Sequence, residues 1–434
     1  MTNVLAIIAD DMRVDHLPYL ANVRRLIAEP GRTFTDARCN VALCQPNRVG
    51  YYTGQLSRDH GELGAGISGA DWDDHDRALA SWLDTAGVRC GHFGKYINYW
   101  DSAFVAGLDA PTGWDEWHQF LVGPSAAEYP VHVGTETVTV TGKYESEYLS
   151  EQVRAFFDGP GPWFANVAPQ LPHSPFAPHP DFLHAWAHEE CRIVPLPDAS
   201  AKPPWIRDLP PLNVAERAVV QQDFRGRLRE LSAVDRLVGE LIADLDERGV
   251  LEDTIVIFTS DNGVHQGDQR RRGDGTKAGP YDVGLRVPMV VRGPGFEPGP
   301  DITVPVYPTQ DVAATLVDIS GAEPAFDRQA GISLRELVAD PGSHRQRVLL
   351  HEIGPEGYDE TGDGVTTGPD HQLGYWKLFR YPSVRSGWTP AQPAIYEMYD
   401  LDDDPEELTN LAEVPEQRAL RDQLEAELEA QLEL

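Results

Sequence analysis

Val4-Leu5-Ala6-Ile7-Ile8-Ala9-Asp10-Asp11 stands near the start of a chain of 434 residues. The apolar run is far shorter than the roughly 18–20 residues that cross a bilayer, so it predicts a buried strand that stops at two carboxylates. Thr254-Ile255-Val256-Ile257-Phe258-Thr259, followed by Ser260-Asp261-Asn262-Gly263, repeats the arrangement far along the chain. Val88–Phe93, Trp163–Ala168 and Val287–Val291 read as further strands. Helical stretches fall between them at Asp76–Ala86, Glu145–Phe157, Asn213–Arg248 and Thr309–Ile319, with Gly87 and Gly249 closing two of them. Strand and helix in alternation predict an α/β fold, a large and mostly parallel sheet flanked by helices. In such a sheet, ligands gather beyond the carboxyl ends of the strands.

The texture changes near residue 340. Val348-Leu349-Leu350-His351, Trp376–Arg380 and Ile395–Tyr399 look like short strands of a small antiparallel sheet. Leu420, Leu424, Leu428 and Leu432 form one helical stripe, expected to pack on that sheet. The expected division is therefore 1–340 for the large α/β domain and 341–434 for a small C-terminal α+β subdomain.

Composition narrows the function. The net charge is −33, with five lysines among the 36 basic residues. That excess of acid argues against nucleic acid and anionic membranes as partners. Cys39, Cys44, Cys90 and Cys191 are too few and too scattered for a disulfide scaffold, and their spacing does not suit zinc. The first apolar run lacks a basic region before it and is short for a signal peptide, so a cytoplasmic location is expected.

The chemistry centres on Cys44-Gln45-Pro46-Asn47-Arg48, then Val49-Gly50-Tyr51-Tyr52-Thr53-Gly54. Pro46 suits the first turn of a helix, which puts Cys44 among free N–H groups and Arg48 one turn on, on the same face. A bare cysteine beside an arginine reads as a buried or disulfide-bonded thiol. The full pattern resembles the signature of the sulfatase family within the alkaline phosphatase superfamily. Glu397-Met398-Tyr399-Asp400-Leu401, Asp404-Pro405 and Asn410-Leu411-Ala412 resemble the family's C-terminal pattern, so the likeness spans the chain.

The resemblance implies that Cys44 is oxidised to formylglycine by a formylglycine-generating enzyme. One hydroxyl of the hydrated aldehyde then attacks sulfur, and the other later expels sulfate. Asp10, Asp11, Asp261 and Asn262 offer a hard, oxygen-only site suited to Ca²⁺ or Mg²⁺. They match the family's metal positions, with Cys44 contributing through the diol, and calcium is expected. Lys95 and Lys277 match lysines that contact sulfate, and His173, in Pro172-His173-Ser174-Pro175, matches a histidine beside the leaving oxygen.

Gly94-Lys95-Tyr96-Ile97-Asn98 departs from the Lys-x-His pair of many sulfatases. It resembles instead the N-acetylglucosamine-6-sulfatase and extracellular endosulfatase subgroup. Asn98 and His265 then become candidate substrate-binding residues, with His265 the candidate for assisting sulfate release. The expected activity is that of a sulfuric ester hydrolase acting on a sulfated sugar or oligosaccharide. The alternatives are a phosphonate monoester or phosphodiester hydrolase with the same nucleophile, and an inactive carbohydrate-binding relative. Specificity is expected from the loops around 60–75, 100–135 and 169–211.

Overall fold

The computed structural model of the chain describes residues 2–64, 72, 74–98, 110–121, 128–272, 277–354, 361–382 and 394–434. Its strands are β1 (Asn3–Ala9), β2 (Arg32–Thr33), β3 (Arg89–Gly94), β4 (Glu116–Phe120), β5 (Glu128–Val133), β6 (Glu136–Thr141), β7 (Trp163–Ala168), β8 (Thr254–Ser260), β9 (Met289–Arg292), β10 (Val348–Ile353), β11 (Gly362–Thr367), β12 (Trp376–Tyr381) and β13 (Ile395–Asp400). The principal helices are α1 (Cys44–Thr53), α2 (Leu79–Thr85), α3 (Glu145–Phe156), α4 (Val214–Glu247), α5 (Gln310–Ser320) and α6 (Arg418–Glu433).

Nine strands form one sheet in the order β2-β9-β8-β1-β7-β3-β4-β5-β6. The central run β8-β1-β7-β3-β4 is parallel. Both flanks are antiparallel. β1, β7 and β8 are buried along nearly their whole length, which is why they read as continuous apolar runs. Two large apolar clusters lie on the sheet, one including Ala6, Ile8 and Ile257, the other Leu5, Ile7 and Phe258. Alternate residues of one strand thus feed opposite layers.

The expected α/β fold with a mostly parallel sheet is observed. The β5–β6 hairpin lies within and beyond the stretch expected as a loop over 100–135, so that stretch is partly sheet. The helix expected over Asp76–Ala86 is shorter: a 3₁₀ turn at His75–Arg77 precedes α2, because Ala78 is extended. Within the stretches around 60–75 and 100–135 expected to set specificity, residues 65–71, 73, 100–109 and 122–127 lie outside the described residues.

The C-terminal sheet β10-β11-β12-β13 is antiparallel throughout. Leu424 and Leu428 of α6 are buried against Val348, Leu350, Val365, Leu378 and Met398, with Leu420 and Leu432 half-buried beside them. The leucine stripe therefore packs on the small sheet, as its spacing predicts.

Candidate active site

Three parallel strands deliver the chemistry to one edge of the sheet. β1 ends at Ala9 and hands over Asp10 and Asp11; β8 ends at Ser260 and hands over Asp261 and Asn262; β3 ends at Gly94 and hands over Lys95. β1 lies beside both β7 and β8, and β3 beside β7, so these termini are neighbours. His173 follows a few residues after β7, and Leu171 O accepts from Asp10 N at 3.1 Å.

Asp11 has φ 66°, the left-handed region that a non-glycine residue rarely occupies. In that conformation its N–H donates to Asp261 Oδ1 at 3.2 Å, which ties the two acidic turns together.

Cys44 is the first residue of α1, all ten of whose residues are buried. Gly54, at φ 70°, takes the left-handed position that ends the helix. The Cys44 thiol donates to Asp10 Oδ1 at 3.3 Å and lies 3.9 Å from Asp11 Oδ1, while Lys277 Nζ donates to its sulfur at 2.9 Å. Burial and the Asp10 charge push this thiol up against the opposing pull of Lys277 and Lys95. As a plain thiol it is a poor nucleophile.

One turn on, Arg48 Nε donates to Asp261 Oδ2 at 2.8 Å and Nη1 donates to Lys95 O at 2.6 Å. Asn47 Nδ2 donates to Asp261 O at 2.8 Å and also to Val41 O. Asn47 fills the position between Pro46 and Arg48 that the signature leaves variable, so the sequence carries no cue to this role.

Lys95 Nζ donates to Asp10 Oδ2 at 2.5 Å, and Lys277 Nζ donates to Asp11 Oδ1. Burial opposes ionisation of Asp10, but Lys95, His173, Arg48 and Lys277 override it and hold the carboxyl well below its usual range. Burial also works against the Lys277 ammonium, which Asp11, Cys44 and Asp10 stabilise strongly. His173 Nε2 lies 3.7 Å from Asp11 Oδ2. Asp10, Asp11, Cys44 and His173 each place a ligand-capable atom within 4.8 Å of the others.

The donor set fits a hard cation. Asp11 Oδ2 and Asn262 Oδ1 are buried acceptors with no hydrogen-bond partner among the described residues. Buried oxygens of that kind are normally satisfied, and a cation bound by oxygen would satisfy them. Asn262 Nδ2 meanwhile donates to Asp11 Oδ1 at 2.5 Å, which turns its amide oxygen the other way.

The two remaining candidates differ. Asn98 lies beside the signature helix, its N–H donating to Gln45 Oε1 at 2.9 Å. His265 is buried: its Nδ1 lies 3.3 Å from Asp268 O, and its ring packs edge-on to Tyr281. Burial and then Arg271 push its pKa down to about 3. No contact joins it to Cys44 or either acidic turn among the described residues.

The sulfatase family model matches residues 2–322, and the model for the C-terminal part of N-sulphoglucosamine sulphohydrolase matches residues 277–433. An extracellular sulfatase Sulf-1 homologue of Caenorhabditis elegans is 28% identical over 78% of this chain and 49% of its own length. The chain thus spans about half of that relative. Human N-acetylglucosamine-6-sulfatase is 26% identical over 94% of this chain and 81% of its own length. Both subgroups named by the Gly-Lys-Tyr-Ile-Asn motif are therefore among the relatives. In structure, the fold matches a protein solved in complex with its substrate D-glucosamine-2-N,6-O-disulfate, with TM-score 0.81, 19% identity and coverage of 100% and 97%. The cytoplasmic location expected from the N-terminal run is corrected by the extracellular relatives, which include a second Sulf-1 homologue, from Drosophila melanogaster. A buried first strand is dictated by the sheet and carries no information about compartment. Matched over most of its length and built around a cysteine between two acidic turns, the chain belongs to the sulfatase family.

Proposed function

We propose that the chain hydrolyses sulfate monoesters of carbohydrates, with Cys44 converted to formylglycine by a maturation enzyme and calcium held by Asp10, Asp11, Asp261, Asn262 and the modified Cys44. The observation that carries this reading is Cys44 at a buried helix start, in contact with Asp10 and Lys277, beside two unpartnered buried oxygens. The modification and the ion would supply a hydroxyl nucleophile and neutralisation of sulfate charge.

The chain's own groups do the rest. Arg48, Lys95 and Lys277 face Asp10, Asp11 and Asp261, so the fixed charges of the cluster cancel. A divalent cation would leave it positive and suited to a singly charged sulfate ester, although the chain as a whole is strongly acidic. Lys277, already against the reacting side chain, and Lys95 stabilise charge on the transferred group. Arg48 fixes Asp261 and the Lys95 backbone, and so sets the spacing of both. His173 Nε2 gives its proton to the departing sugar oxygen. Asn98 contributes to the sugar side of the site, and residues 1–340 carry the chemistry with 341–434 as a supporting subdomain. The sugar-sulfate choice is supported by the N-acetylglucosamine-6-sulfatase relative and by the glucosamine disulfate bound in the similarly folded protein.

The test is kcat/KM on glucosamine 6-sulfate beside a phosphonate monoester and a phosphodiester. A clear preference for the sulfate ester is expected. Preference for either phosphorus ester would overturn the reading.

A further inference from the structure

α4 is the longest helix among the described residues, and its N-terminus is closed by Asn213 and Glu216 in a reciprocal capping box. Midway along it, one face meets the segment that carries His173. Arg227, only 2% exposed, donates from Nη1 to Pro172 O at 2.9 Å and to Asp11 O at 3.4 Å. Its guanidinium carbon stands 5.1 Å from the centre of the Phe176 ring. The preceding residue is Gly226, where a Cβ would meet Phe176 Cγ at 2.7 Å, so the helix approaches this closely only with glycine there. One turn later Glu230 accepts from Ala177 N at 2.7 Å.

We infer that Arg227 is a positioning residue: it holds the backbones of Asp11 and Pro172 together and thereby sets the approach of His173 to the Asp11 carboxylate. This rests on the roles proposed above for those two residues. His173 cannot fix its own place by burial, because its side chain is 32% exposed, whereas Asp11 is fully enclosed. Something rigid has to relate the two, and the two carbonyls that Arg227 reaches belong to Asp11 itself and to the residue before His173. A guanidinium suits this task. It spreads its donors in a fixed plane on a stiff, planar group, so the spacing of the two carbonyls is held. Both contacts from Arg227 Nη1 are to backbone carbonyls, so the effect assigned to it on the reaction passes through backbone placement.

The test uses the full chain with Arg227→Met, which keeps an apolar stem and removes the donors, and Arg227→Lys, which keeps the charge. Amide exchange is followed in peptides covering residues 9–13 and 170–178. In Arg227→Met, exchange in both segments is expected to rise at least about tenfold, the scale of one charged hydrogen bond, with β10–β13 unchanged. Turnover of glucosamine 6-sulfate is expected to fall about 10²-fold in kcat with KM little altered, as misplacement of a catalytic group produces. Arg227→Lys is expected to recover part of both, and it serves alone if the methionine variant does not fold. Unchanged exchange in the two segments overturns the inference, and so does a uniform rise across the chain. The exchange measurement needs no turnover. A wild-type protein inactive on sulfate esters would therefore remove the proposed function while the clamp is still decided by exchange.

Discussion

Two buried clusters in this molecule are built from the same residue types: a closed one, in which three carboxylates are fully hydrogen-bonded, and an open one at the edge of the parallel sheet. Where the C-terminal sheet meets the large one, Asp282 accepts from Arg38 through both oxygens and from Lys377. Glu407 accepts from Lys377 at 2.7 Å and from Asp282 N at 2.7 Å. Glu397 accepts from the hydroxyls of Tyr281, Tyr381 and Tyr399. Every oxygen of these three carboxylates is used. At the edge of the parallel sheet, lysines and carboxylates also pair, yet Asp11 Oδ2 and Asn262 Oδ1 have no hydrogen-bond partner among the described residues. Four of the five lysines, Lys95, Lys202, Lys277 and Lys377, are buried and divide between these two places. Unpartnered buried acceptors alone do not mark a site, since Asp36 beside Arg38 also carries one; at the open cluster they stand beside the Cys44 thiol and His173.

The largest expected effect breaks the closed cluster. Lys377→Met leaves Asp282 and Glu407 buried without their ammonium, and removal of one partner from such a network costs about 3–5 kcal/mol. The melting temperature should fall sharply, while activity per folded molecule stays at the wild-type level. Loss of activity with the melting temperature preserved would mean the two clusters are not separable in this way.

At the open cluster the readout is chemistry. His173→Ala should cost about 10²–10⁴ in kcat/KM on a sugar sulfate. Much of that loss should be recovered on an aryl sulfate, whose leaving oxygen needs no proton. Lys277→Ala should depress both substrates, since it acts on the sulfate. Equal losses on both substrates for His173→Ala would remove its general-acid role.

Metal removal should join the two properties at one place. Chelation is expected to abolish turnover and lower the melting temperature, because a ligand that binds only the folded state stabilises it by linkage, about 2.7 kcal/mol at a hundred times its Kd. Activity surviving complete removal would count against the oxygen cluster as a cation site.

A pH-dependent effect is expected from Glu145, a buried carboxyl at the start of α3 that accepts from Gln170 N at 2.6 Å. Burial raises its pKa from 4.5 to about 8. Because the folded value lies above the unfolded one, the folded state holds the extra proton. Its stabilising contribution is full below 4.5 and lost as pH rises through about 8. Glu145→Gln should flatten the fall in stability across that window, and an unchanged profile would show that Glu145 is not its source.

The strands that deliver the site were legible because burial on both faces forces continuous apolar runs, as at Val4–Ala9 and Thr254–Thr259. The β5–β6 hairpin was not, since five of the six β6 residues are exposed and the apolar signal is weak. The alternation Thr137-Val138-Thr139-Val140 after Gly134 was the available cue. Asp10, Asp11, Cys44, Arg48, Lys95, His173, Asp261 and Asn262 converge because each follows a strand end or belongs to the signature, whereas Lys277 lies between β8 and β9 and was legible only through the resemblance. His265 had only its nearness to Asp261 in sequence, and the contacts it makes are with Asp268 and Tyr281. Arg227 had no signal at all, because it acts on two backbone carbonyls, one of them 216 positions distant.

The central claim is that the open cluster works through a modified Cys44, and the mass of the Cys44 peptide from fully active protein tests it most directly. The account predicts a peptide lighter than the thiol form by one sulfur and two hydrogens and heavier by one oxygen, as the aldehyde requires. It also predicts that Cys44→Ala is folded and inactive. Fully active protein that carries only an unmodified thiol at Cys44 would contradict it.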